Sequence, residues 1–206
     1  MGSVQIRNVA TLGGNVANAS ACADGATALL ALDAEVTTID GAGHVASRPL
    51  DRVVLGADRT SLGRDEAIIE FSFAALGAGH RSSFTKIGSR TTVSVARLSC
   101  ALVAAIDAAS GALADVRVAL GAVGAAAFRV PALEALLAGR PADEGAARLL
   151  ADGVVRAIAS SIPERPSLPY KEAAAVGLAY DAWNALALCP PCEPPWPQEA
   201  GAVPAS

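Results

Sequence analysis

Apolar and polar positions divide the chain into two unlike parts. Up to about residue 76 the apolar residues come in short runs broken by Gly, Asn and Asp. Ala26-Thr27-Ala28-Leu29-Leu30 is compact enough for a short buried helix, and Asp24 sits where an N-cap would. Glu35-Val-Thr-Thr-Ile39 is β-branched and alternating, which predicts a strand. Asp40-Gly-Ala-Gly43 is a turn, and His44-Val-Ala-Ser47 returns as the second arm of a hairpin. Arg48 to Gly63 is polar and rich in turn residues, so it reads as loop. Glu66 to Phe73 is the next strand, followed by a turn at Gly77-Ala-Gly79.

The second part is more continuous. Ser82 to Ile87 predicts a strand that runs into Gly88. Val93 to Ile106 begins β-branched and finishes apolar, and its periodicity fits helix or strand. After a turn at Asp107 to Gly111, Val116 to Val123 is a further strand. Pro131 suits a first helical position, with leucines at 133, 136 and 137 and Gly139 as the stop. Asp143 or Glu144 opens a second helix carrying Ala147, Leu150, Val154, Val155 and Ile158 on one face, ended by Pro163. Tyr170 to Leu188 is a third. From Pro190 the chain is proline-rich and without periodicity, which predicts a disordered tail over 189–206.

Length and composition narrow the class. The 206 residues suffice for one domain or two small ones. Hydrophobic residues make up 52% but aromatic ones only 4%, so the core must be built from Ala, Val and Leu. The formal net charge is −4 and no basic stripe is present. That argues against nucleic acid or an anionic membrane as the main partner. The most apolar stretch, Val93 to Leu120, is broken by Arg97, Asp107, Asp115 and Arg117, too often for a bilayer span. Met1 to Gln5 lacks the form of a secretory signal, so a cytoplasmic protein is expected.

Candidate chemistry is sparse. Cys189-Pro-Pro-Cys192 invites a metal or redox reading, but a zinc site usually needs two such pairs. The other cysteines, Cys22 and Cys100, stand alone. A redox pair of the thioredoxin kind opens a helix after a strand, whereas this one follows a helix. His44 and His80 lie at turn edges and read as solvated. No nucleophile–base pair, carboxylate pair or metal cluster is apparent. What remains is Gly13-Gly14, flanked by Thr11, Asn15, Asn18 and Ser20. Glycine lets backbone approach a ligand closely, and free amides at such a turn suit an anion such as phosphate. The run is neither Gly-x-Gly-x-x-Gly nor Gly-x-x-x-x-Gly-Lys-Ser/Thr, and a plain turn is the other reading.

Several segments together resemble one family. Gln5-Ile-Arg-Asn-Val-Ala-Thr-Leu-Gly-Gly-Asn15, continuing through Asn18-Ala-Ser-Ala-Cys-Ala-Asp24, is similar to the second flavin-binding loop of the FAD-binding (medium) subunit of molybdenum hydroxylases. That family includes xanthine and carbon monoxide dehydrogenases. Phe84-Thr-Lys-Ile-Gly-Ser-Arg90 resembles its Lys-x-Gly-x-Arg segment. Asp115 to Val123 resembles a strand of its carboxy-terminal part, and Pro131 to Gly139 the helix after it. Ser167, Tyr170 and Lys171 resemble its serine–tyrosine–arginine ending. The matches run in family order over residues 4 to 187.

The resemblance implies an α+β fold. Residues 4–76 would be the second half of a mixed α/β flavin-binding (PCMH-type) subdomain. Residues 80–188 would be a small antiparallel sheet packed with about three helices, with Val93 to Ile106 as strand. The implied cofactor is FAD. Thr11, Gly13, Gly14 and Asn15 would hold its phosphates, Asp24 would bond near the sugar or flavin, and Lys86 would reach the isoalloxazine beside Ile68. The absence of a catalytic set fits, because a flavin carries the redox chemistry itself. Implied partners are an iron–sulfur subunit and a molybdopterin-binding large subunit, with NAD or another acceptor taking the electrons. The family's first glycine-rich FAD loop has no counterpart here, so the chain resembles the carboxy-terminal part of such a subunit: a truncated reading frame, a fragment or a split gene, with another chain as one place for the missing amino-terminal subdomain. A flavin-free docking domain is the alternative.

Overall fold

The computed structural model describes residues 2–90 and 94–190. The chain opens with two six-residue helices, α1 (Val4–Val9) and α2 (Leu12–Ala17), each started by a hydroxyl cap. Ser3 Oγ accepts from the amide of Ile6, and Thr11 Oγ1 accepts from the amide of Gly14 at 2.9 Å. Helix α3 (Asp24–Ala31) follows, almost wholly buried. Strands β1 (Glu35–Ile39) and β2 (Val45–Pro49) form the expected hairpin, and Asp40 Oδ1 ties its turn by accepting from Ala42 and His44 amides. A short 3-10 turn (Leu50–Arg52) and a small ladder of β3 (Val54–Gly56) with β4 (Arg59–Thr60) occupy the region expected to be loop. Strand β5 (Ala67–Ser72) returns to β1, giving an antiparallel sheet of order β2-β1-β5.

The larger sheet has the order β6-β7-β8-β9 and is antiparallel throughout. It comprises β6 (His80–Gly88), β7 (Ala96–Ile106), β8 (Leu113–Gly121) and β9 (Phe128–Arg129). The first three were expected; β9 is an additional two-residue edge. Helices α4 (Pro131–Leu137), α5 (Glu144–Ser161) and α6 (Leu168–Leu188) complete the chain. Pro131 opens α4, Asp143 Oδ1 caps α5 by accepting from the Ala146 amide, and Gly139 takes a positive φ of 78° just past α4. The α+β architecture is therefore the one that the sequence predicts.

Strand β7 shows why the pattern of its segment fits helix and strand alike. Leu98, Cys100, Leu102 and Ala104 pack into the core shared with α4, α5 and α6. Ala101 and Val103, on the other face, pack into the core of α3 and the small sheet. A strand buried on both faces loses its alternation and reads as a continuous apolar run. The core around α3 thus spans the 76–80 junction, because Ala119 of β8 belongs to it as well. Each fully buried leucine of these layers contributes roughly 2 kcal/mol relative to exposure.

Helix α3 lies close on β8 because Gly121 has no side chain. A Cβ there would overlap Thr27 Oγ1 and Ser99 Oγ, so only glycine permits the approach. Nearby, the amide of Ala122 donates to the carbonyl of Ala21 at 2.8 Å, and Lys171 Nζ donates to the carbonyl of Ala122. These contacts fix the loop between α2 and α3 against the large sheet. Residues 191–206 of the expected tail, Cys192 among them, lie outside the described residues.

Candidate flavin-binding cleft

The residues of the Gln5–Asp24 run meet at one surface. A cleft of about 580 Å³ is lined by Ile6, Arg7, Thr11, Leu12, Asn15 and Asp24, among others, together with Ser94 and Val95. Its walls are largely apolar. Ile6, Leu12 and Val95 stay 51%, 41% and 71% exposed.

The Gly13-Gly14 turn is instead the first part of helix α2. Glycine lowers helix stability by about 1 kcal/mol per residue, but the Thr11 cap and the burial of Val16 outweigh that here. The Gly14 amide is consequently engaged by Thr11 and the Asn15 amide by the Thr11 carbonyl. Neither amide forms the open nest expected. Gly13 faces β5: a Cβ on it would meet Ile68 at 3.7 Å, so α2 and Ile68 pack directly. Gly25 allows α2 to lie on α3, since a Cβ would stand 2.5 Å from Asn15 Oδ1.

Asp24 is not the N-cap of α3; Ala23 occupies that position and Asp24 is the first helical residue. Its carboxylate turns toward β6. Lys86 Nζ donates to Asp24 Oδ2 at 2.6 Å and to the Ser94 carbonyl at 3.1 Å. Asp24 is 8% exposed, and its Oδ1 has no donor. Asn15 Oδ1 is likewise buried without a donor. Of the seven sequence-predicted residues, Thr11, Asn15 and Asp24 line the cleft. Gly13 and Ile68 support it through α2, and Lys86 is paired with Asp24.

Cys22 and Arg7 are among the further lining residues that the sequence reading does not assign to this surface. Cys22 lines the cleft and is half-buried. Arg7 contributes a cation from α1. Both lie within the family-like run, but their side-chain types alone carried no signal. His80 differs from its sequence reading: its Nε2 lies 2.9 Å from Asp115 Oδ2 and its Nδ1 3.1 Å from the Gly77 carbonyl, so it is a bonded tether and not a solvated turn residue. His44 is exposed, beside Asp40. No group that could hold a metal ion occurs among the described residues.

Two family models account for most of the chain. Residues 1–73 match the FAD binding domain in molybdopterin dehydrogenase, and residues 83–186 match the CO dehydrogenase flavoprotein C-terminal domain. The chain belongs to the FAD-binding subunit family of the molybdenum hydroxylases. Among curated proteins, the xanthine dehydrogenase FAD-binding subunit of Escherichia coli O157:H7 is 27% identical over 168 residues, covering 81% of this chain and 56% of that protein. The chain thus spans little more than half the length of such relatives.

Among solved structures, a carbon monoxide dehydrogenase from Hydrogenophaga pseudoflava that lacks the Mo-pyranopterin moiety of the molybdenum cofactor aligns with a TM-score of 0.81 and 28% identity. The alignment covers 92% of this chain and 65% of that one. Quinoline 2-oxidoreductase from Pseudomonas putida 86 shares the fold, with a TM-score of 0.77 and 23% identity over 91% of this chain and 64% of that one.

Proposed function

We propose that this chain binds FAD in the Thr11–Asp24 cleft and serves as the electron-transfer flavoprotein component of a cytoplasmic molybdenum hydroxylase. The observation that carries the reading is a buried carboxylate oxygen without a donor, Oδ1 of Asp24, a residue that lines this largely apolar cleft. A buried acceptor without a partner costs about 1–3 kcal/mol, which a ligand N–H or O–H would recover. The residues fit such a group: Ile6, Leu12 and Val95 offer apolar surface to a flat ring, and Thr11, Asn15 and Asp24 offer polar contacts at its edge. Bound FAD supplies one- and two-electron redox chemistry.

In the whole enzyme, electrons would arrive from iron–sulfur clusters on one partner subunit. The molybdopterin-binding large subunit would be their origin, and NAD or another acceptor their destination. This chain's own residues exclude water from the cleft and orient the cofactor. Residues 4–76 form the flavin side in this reading, and residues 80–188 the α+β part that braces it. Gly13, Gly14 and Ile68 act as packing that sets the position of α2.

A flavin-free docking domain is the second reading, favoured by α1. None of its side chains is buried, and Val4, Ile6 and Val9 are all at least half exposed. A six-residue helix is marginal in water without packing, so a partner surface would cover it. The visible absorption spectrum of the purified chain, before and after adding FAD and desalting, separates the two. A retained and shifted flavin band is expected; a colourless protein that still captures its partner subunits would leave only the docking domain.

A further inference from the structure

The chain contains two lysines, Lys86 and Lys171, and neither is a free surface charge. Lys171 holds the Ala122 carbonyl, and the Ala122 amide holds Ala21, on one side of the loop that leads into α3. Lys86 approaches the same loop from β6 and holds Asp24 together with the Ser94 carbonyl. Ser94 and Asp24 both line the cleft, but Lys86 is not among its lining residues. The ammonium thus bridges two residues of the cleft lining.

We propose that Lys86 is a positioning residue that acts on the cofactor only through Asp24. It binds one carboxylate oxygen, Oδ2, and leaves Oδ1 as a fixed acceptor for an N–H or O–H of the flavin cofactor. The inference rests on the flavin reading above. An ammonium has three donors and no acceptor. With two of them directed to Asp24 and Ser94, turning Lys86 into the cleft would break both bonds and leave a largely buried carboxylate unpaired. An isoalloxazine imide N–H and a ribityl or ribose hydroxyl are the donors that Asp24 Oδ1 could receive.

A double-mutant cycle tests this in the full chain. The dissociation constant for FAD is measured by flavin fluorescence for the wild type, Asp24→Ala, Lys86→Met and the double variant, with circular dichroism to verify folding. Each single substitution should weaken binding about tenfold, as the loss of one charge-assisted bond does. The double variant should bind no worse than Asp24→Ala, and Lys86→Arg should restore much of the affinity. Losses that multiply to about a hundredfold would overturn the inference, because Lys86 would then touch the cofactor itself.

Acetic anhydride footprinting gives a readout without ligand. Lys86 should acetylate slowly in the wild type and quickly in Asp24→Ala, with Lys171 unchanged as the internal reference. Equal Lys86 rates in both proteins would also overturn the inference. With FAD methylated at the imide nitrogen, a vanished Asp24→Ala penalty assigns the donor to the ring, and a persistent one assigns it to a hydroxyl; both agree with the inference. A wild-type chain that binds no FAD at millimolar concentration overturns the flavin reading and the inference with it.

Discussion

Lys86 Nζ lies 2.6 Å from Asp24 Oδ2, though 62 positions separate the two residues. The pair links the first turn of α3 to strand β6 and so connects the two parts into which the sequence divides. Its side chains are 28% and 9% exposed, which places it in a regime where geometry matters more than count. An unpaired Asp24 would retain a carboxylate with little water around it.

Gly25 controls the seat of α2 on α3. A methyl group there would stand 2.5 Å from Asn15 Oδ1 and 2.9 Å from Leu12 Cδ1, both of them ends of side chains that line the cleft. The fold should survive Gly25→Ala with a loss of about 1–3 kcal/mol, the usual cost of overpacking, measured by urea unfolding. FAD affinity should fall by about tenfold. Unchanged affinity alongside reduced stability would remove Leu12 and Asn15 from the binding surface.

Glu66 should make stability depend on acid. Bonds from Thr38 Oγ1 and the Gly63 amide, with the Arg48 guanidinium beside them, hold its carboxyl below the usual 4.5. A folded-state value below the unfolded one means that stability is fully present above pH 4.5 and is lost as pH falls through the folded value. The stability gap between wild type and Glu66→Gln, read from urea midpoints, should therefore be largest near neutrality and shrink below pH 4.5. A gap that stays constant down to pH 3 would contradict this.

Cys100 should be inert in the folded protein. It is fully buried on β7, and burial pushes its thiol up to about 12. Thiolate is the reactive form. N-ethylmaleimide at pH 8 should label Cys22, which is half-buried at the cleft, and reach Cys100 only in denaturant. Peptide mass spectrometry reads both sites. Rapid labelling of Cys100 under native conditions would mean that β7 opens readily.

Much of the α+β part was legible because its signals are local. Pro131, Gly139 and Asp143 mark helix ends by their own backbone chemistry, and each stands where that chemistry puts it. The small elements were harder. α1 and α2 resemble loop in sequence, since Asn8, Asn15 and the glycines favour turns. Only the Ser3 and Thr11 caps and the burial of Val16 make them helical.

By itself, then, the sequence determined the α+β class, the long helices and strands, the family, and the stretch from Thr11 to Asp24 as the place of interest. Those follow from periodicity, caps and motif order, which are properties of neighbouring residues. The tertiary structure decided that the glycine pair is helix and not an open amide nest, and that β7 serves two cores. It also decided that Lys86 is paired with Asp24. These depend on which distant groups must satisfy each other once water is excluded, and no local pattern encodes a contact across 62 residues.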